Sequence, residues 1–143
     1  MVDAHNAGDW KGVLALEGTV EALLDASCCD AFREKILGCF AHAHLETCNP
    51  AQTAVFKERQ IDMLGIMQRF EEQAWAMLQF AMTLQKQGDF TCARKWCEKA
   101  REIGKSQGSF ATECTCCYQM ATQVPLAFRV RPHPRLEFAP FLV

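Results

Sequence analysis

Residues 74–105 read AWAMLQFAMTLQKQGDFTCARKWCEKAREIGK, two amphipathic runs joined at Gly88-Asp89. In the first run Met77, Phe80, Ala81 and Leu84 recur at spacings of three and four, which places them on one face of a helix. The Gly88-Asp89 turn ends the first helix ahead of the second. Ala93, Cys97 and Ala100 then recur on a second helical face. Small side chains at Ala81, Ala93 and Ala100 let two antiparallel helices approach closely, while larger neighbours fill the space between them.

Two further turn signals lie upstream, Gly8-Asp9 and Asn49-Pro50, so the three signals are separated by 41 and 39 residues. That interval falls in the range of stacked helical-hairpin repeats. The first helix is expected from Asp9 through Trp10, Val13, Leu14, Glu17, Val20 and Leu24. A second, capped by Asp30, carries Phe32, Ile36, Leu37, Phe40 and Leu45, and must end before Asn49-Pro50. Pro50 suits the first turn of a third helix that continues to Phe70 with both faces partly apolar. Glu71-Glu72 is read as the break before a fourth helix with Trp75, Leu78, Met82 and Leu84. A fifth runs from Phe90 to Ile103 and a sixth from Phe110 to Gln123. The expectation is an all-α domain of six helices over residues 1–124. Pro125, Pro132, Pro134 and Pro140 forbid a regular helix in the tail at 125–143. Its apolar Leu126, Phe128, Val130, Leu136, Phe138 and Phe141 are expected to dock on the helices, an exposed end being the alternative.

With 143 residues, half of them hydrophobic, the chain can bury one continuous core. Its net charge of −2 offers no basic excess for a phosphate backbone, so nucleic acid is not an expected partner. No apolar stretch approaches the roughly 20 residues that span a bilayer, and the residues before Gly8 lack the layout of a signal peptide. A cytoplasmic protein without a membrane partner is expected. The nine cysteines are odd in number and lie mostly within helical patterns, which favours reduced, packed thiols over a disulfide framework.

Residues 74–105 resemble a tetratricopeptide (TPR) repeat. Met77, Phe80, Ala81 and Leu84 stand where that family has its aromatic, leucine, small and tyrosine positions, and the Gly88-Asp89 turn, Ala93, Cys97 and Ala100 follow in order. Gly8–Leu24 is similar to the second helix of an earlier unit, and residues 30–70 to a complete hairpin with Gly38 as a small packing position. The spacing exceeds the family's usual length of about 34, the proline often found after Ala100 is absent, and Met77 replaces an aromatic residue. Other helical solenoids share this period. The resemblance implies a right-handed superhelix of stacked antiparallel hairpins whose first helices line a concave groove for a partner peptide. The groove candidates it implies are Trp75, Leu78, Gln79, Met82 and Gln85 on the fourth helix, and Phe32, Lys35, Ile36, Cys39 and His42 on the second. The chaperone-binding branch grips a carboxylate with lysine and asparagine, and the fourth helix has neither before Lys86. An apolar or amphipathic peptide or helix is therefore the expected partner of this adaptor, with ordinary core packing the alternative for Trp75, Leu78 and Met82.

Cys39, His42, His44 and Cys48 have metal-ligand side chains at short spacing, but about 100° per residue puts the first two and the last two on opposite helix faces. No metal is expected there. Cys114, Cys116 and Cys117, with Cys92 and Cys97, motivate a second reading, a cysteine-based metal or redox sensor, although Cys114 to Cys117 is the one local spacing of that kind. Ser27, Ser106 and Ser109 fall at expected helix ends, and no phosphate loop or dinucleotide fingerprint occurs, so neither catalysis nor a cofactor is expected. A third reading is a subunit or fragment of a larger array, or a homo-oligomer, because the residues before Gly8 are too few for a full first helix. Since the thiols belong to helix faces, helicity by circular dichroism should be the same with and without reductant. A collapse on reduction would establish a disulfide scaffold instead.

Overall fold

The computed structural model describes residues 2–27 and 29–122; Cys28 and the tail at 125–143 lie outside the described residues. Among those described there are eight helices and no strand: α1 Val2–Asn6, α2 Trp10–Ala15, α3 Glu17–Ser27, α4 Asp30–Glu46, α5 Pro50–Ile66, α6 Phe70–Lys86, α7 Phe90–Ser106 and α8 Phe110–Thr122. The chain is all-α, as its periodicity indicates, but with two helices more than the six expected. One is the short α1, formed by residues that seemed too few for a helix. The other comes from a division at Leu16, whose N–H turns to the Val13 carbonyl three residues back, between Gly12 and Gly18 of low helix propensity. Two boundaries also move. Cys29, not Asp30, stands at the N-cap of α4, and Phe70 opens α6 instead of closing α5, with Glu71-Glu72 inside its first turn.

Five helix ends share one geometry. Gly8, Cys48, Gln68, Gly88 and Gly108 have φ of 71°, 58°, 57°, 87° and 65°, the left-handed region. In each case the following N–H reaches five residues back: Asp9 to Ala4, Asn49 to His44, Arg69 to Leu64, Asp89 to Leu84 and Ser109 to Gly104, at 2.8–3.0 Å. This is the Schellman arrangement, which satisfies carbonyls that the helix leaves unpaired. The same residue then opens the next helix. The side chains of Asp9, Asn49 and Asp89 accept from the amides of Gly12, Gln52 and Cys92 at 2.9, 3.3 and 2.9 Å. Four of these turns, at 48, 68, 88 and 108, are twenty residues apart, so α4 to α7 are each 17 residues long with three-residue connections.

Connections this short reverse the chain, and α4 packs along α5, α6 along α7, α7 along α8 and α5 along α6. Alternate helices also meet, α2 with α4 and α6 with α8. Positions forty residues apart are equivalent in this packing: Leu37 and Met77, Phe40 and Phe80, Ala41 and Ala81, and the trio Ile36, Ala76 and Cys116 are all buried. One core gathers Val13, Leu24, Leu37, Phe40 and Phe56; the other gathers Ile61, Leu64, Met77, Phe80, Ala93, Cys97 and Cys116. Helix α5 serves both, which accounts for its two apolar faces. The Phe40 and Phe56 rings meet with centroids 5.4 Å apart, and truncating either to alanine should cost about 3–5 kcal/mol.

Two glycine-to-alanine changes should have opposite signs. At Gly88 a Cβ meets nothing within 4 Å, so the left-handed φ alone sets the penalty, about 1 kcal/mol. At Gly18, in the first turn of α3 and equally open, alanine should stabilise by roughly 0.5–1 kcal/mol. Urea midpoints of Gly88→Ala and Gly18→Ala check both; equal signs would contradict the turn geometry.

Candidate functional site

A cleft of about 850 Å³ opens between α4 and α6 with α5 contributing its floor. Phe32, Lys35, Ile36, Cys39 and His42 of α4 line one wall, Thr53, Lys57 and Gln60 come from α5, Gln79 and Thr83 from α6, and His5 from α1. The second-helix candidates thus converge on one cavity, and Gln79 joins them from the fourth. Phe32 is 52% exposed and free to meet a partner, whereas Ile36 is buried behind the wall.

The other candidates are placed differently. Trp75, 56% exposed, borders a smaller depression of about 250 Å³ between α6 and α8, together with Thr112 and Thr115. Leu78 lines it too but is only 2% exposed; it is a core residue, because it lies on the side of α6 that continues Ala74 and Ala81 into the apolar cluster. Met82 is exposed and Gln85 half-buried, and neither lines these two cavities.

The polar part of the main cleft is a chain of side chains. Lys57 Nζ donates to Gln60 Oε1 at 2.9 Å, and Gln60 Nε2 donates to the buried Glu34 at 2.6 Å. Arg69, the N-cap of α6, approaches the other Glu34 oxygen at 3.9 Å while also holding Glu72 in the first turn of that helix. Gly38 makes the crossing feasible: a Cβ there would lie 2.8 Å from Gln60 Nε2. Burial pushes the pKa of Lys57 below its ordinary value, with the nearby Glu34 charge acting the other way. The Cys39 thiol is raised, first by burial and then by Glu34.

The histidines of α4 divide between two environments. His42 Nδ1 lies 3.3 Å from His5 Nε2, its Nε2 lies 3.4 Å from Glu46, and its ring packs on Trp10 with centroids 4.9 Å apart. His44 turns to the core, bonding Glu17 at 2.8 Å and stacking on Phe56 at 5.3 Å. Its buried Nδ1 has no hydrogen-bond partner among the described residues. Cys48 is exposed at its turn. Cys39 and His42 therefore face the cleft, and His44 and Cys48 do not. Among the described residues no group of three or more His, Cys, Asp or Glu side chains is placed to hold a metal ion.

Cys97 and Cys116 are buried together in the core of α6, α7 and α8. Burial, followed by the neighbouring Cys97 and Cys117, pushes the Cys116 thiol up to about 11. Cys114 and Cys117 are exposed.

The cleft also contains residues that the sequence reading passed over: His5, Glu34, Thr53, Lys57, Gln60 and Thr83. A signal for two of them exists in the forty-residue register, where Lys57 stands at the place of Cys97 and Gln60 at that of Ala100, both fully buried small residues.

No protein-family model matches the chain, and no curated protein matches it in a sequence comparison.

Thiol environments provide a test of the second hairpin. Brief alkylation with iodoacetamide at pH 8, read by mass spectrometry, should modify the exposed Cys29, Cys48, Cys114 and Cys117 first. Cys116, with a thiolate fraction of roughly a thousandth at that pH, and the buried Cys97 should react after unfolding. Early reaction at Cys116 would contradict the packing of α8 on α7.

Proposed function

We propose that the chain is a tetratricopeptide-like adaptor, a right-handed stack of helical hairpins that receives a peptide or helix of another protein in the cleft between α4 and α6. The supporting observation is the convergence there of Phe32, Lys35, Cys39 and His42 with Gln79. Cys39 and Gln79 are forty residues apart, on equivalent positions of the helices that open successive hairpins, so the wall repeats with the fold. The repeated left-handed turns and the contacts of α2 with α4 and of α6 with α8 support the stacking.

The binding role follows from what the cleft presents. Phe32 is a large aromatic side chain held half out of water on a helix that is otherwise well packed, and its burial by a partner would contribute about 1 kcal/mol before ordering costs. Polar groups along the floor would orient the bound segment. A cytoplasmic setting accords with exposed thiols at Cys48, Cys114 and Cys117. The protein acts by burial and orientation, without catalysis of its own.

A photoactivatable residue introduced at Phe32, at Gln79 or, as control, at the exposed Lys95 of α7 tests this in cell extract. The expected result is an adduct of one defined mass from positions 32 and 79 and none from 95. Equal adducts at all three positions, or none at 32 and 79, would rule the cleft out as the binding surface.

A further inference from the structure

The charges facing the cleft are unbalanced. Its lining has two lysines, Lys35 and Lys57, and one carboxylate, Glu34. Glu34 is already engaged, accepting from Gln60 and lying beside Arg69. Lys57 donates to the neutral oxygen of Gln60, and among the described residues it has no carboxylate within ion-pairing distance; the same holds for the exposed Lys35. An ammonium has three N–H donors, so two of those on Lys57 are uncommitted among the described residues.

The fold itself does not require a cation here. In the forty-residue register the places of Lys57 and Gln60 are filled one hairpin later by Cys97 and Ala100, which pack with no exposed surface. Placing an ammonium where the repeat accommodates a thiol incurs a desolvation penalty that packing does not offset. A site where local chemistry departs from what the repeat favours is where function is expected. The lowered pKa of Lys57 reports the same desolvation.

Building on the peptide-binding reading above, we propose that this cleft recognises an acidic side chain of its partner, an aspartate or glutamate flanked by apolar residues, whose carboxylate bonds the free donors of Lys57 with Lys35 as the second cation. The apolar neighbours rest on Phe32 and Cys39. A phosphorylated segment fits less well, because among the described residues the cleft lining contains no arginine to offer the forked, bidentate contact that phosphate favours. The expectation of an apolar or amphipathic ligand is thereby narrowed to one with an internal negative charge.

The experiment selects short random peptides from a displayed library on the full chain, then synthesises the winners with amidated C-termini. Selected peptides should carry Asp or Glu between apolar residues. Replacing that acid by its amide, or Lys57→Met in the protein, should each weaken binding about tenfold, with little further loss when combined. Lys35→Met, on an exposed side chain whose loss cannot unsettle the core, should weaken binding several-fold and flatten its salt dependence. Neutral or basic winners, winners that need a free C-terminal carboxylate, or winners indifferent to both lysines yet lost with Phe32→Ala would overturn the acidic seat and leave the cleft as a binding surface. No winners at all, or winners unaffected by Phe32→Ala and by both lysine changes, would overturn the cleft reading together with this one.

Discussion

At five of the helix junctions a single residue completes the preceding helix through its N–H and opens the following one through its carbonyl, and at Asp9, Asn49 and Asp89 through its side chain as well. Because both tasks fall on one residue, the connection cannot lengthen or shorten without losing a bond at one of the two helix ends. The constraint holds the connections at three residues, and with turns at 48, 68, 88 and 108 the helices between them are seventeen residues long. It also explains how Cys48 and Gln68 hold a left-handed backbone that costs a side-chain-bearing residue roughly 1 kcal/mol or more. Bonds on both sides and packing along two helices over-determine the turn.

Constant helix length makes volume exchange between hairpins legible, and the cleft arises from one such exchange. On α4 the residue is Gly38, against which the long Gln60 of α5 lies; forty residues on the pair is Leu78 with Ala100. Bulk moves from the second helix of the hairpin to the first, and polarity leaves with it. In the earlier hairpin the amide of Gln60 can cross the missing side chain and bridge Lys57 to Glu34. In the later one the same space is filled by hydrocarbon. The larger cavity accordingly lies between α4 and α6, and a shallower one between α6 and α8.

The hairpin at residues 74–105 is readable in the sequence because its turn uses Gly88 and Asp89, whose chemistry suits the left-handed position and the cap. Asn49-Pro50 is readable for the same kind of reason. Met67-Gln68-Arg69 contains no glycine, proline or asparagine, so the break there is silent and Phe70 reads as part of the wrong helix. The visible interval is therefore forty, and the underlying twenty emerges with the backbone angles. In the site, Phe32, Lys35, Cys39, His42 and Gln79 are recoverable because first helices of hairpins carry the expected groove. Lys57 and Gln60 escape since they lie on a second helix, where a side chain is taken for packing. His5 escapes for another reason: five residues are too few for a helix to stand on propensity alone, and α1 is held by tertiary contacts.

One position shows how the two ends of the array diverge. Glu17, Lys57 and Cys97 succeed one another at intervals of forty residues, Glu17 opening α3, Lys57 on α5 and Cys97 on α7. Glu17 pairs with the buried His44, Lys57 reaches Gln60, and Cys97 packs beside Cys116. The same site thus passes from an ionisable pair with a neighbouring helix, through a cation at the cleft, to a thiol buried in the core. Large apolar side chains are fully buried on both sides, Phe40, Phe56 and Leu37 in the earlier core and Ile61 and Leu78 in the later one, so the change along the chain at this position is in its ionisable chemistry and not in the burial of hydrocarbon. On α5 the cleft-lining Lys57 and Gln60 are each followed four residues later, along the same helix face, by the core residues Ile61 and Leu64, so the charged seat and the apolar core adjoin end to end on one helix.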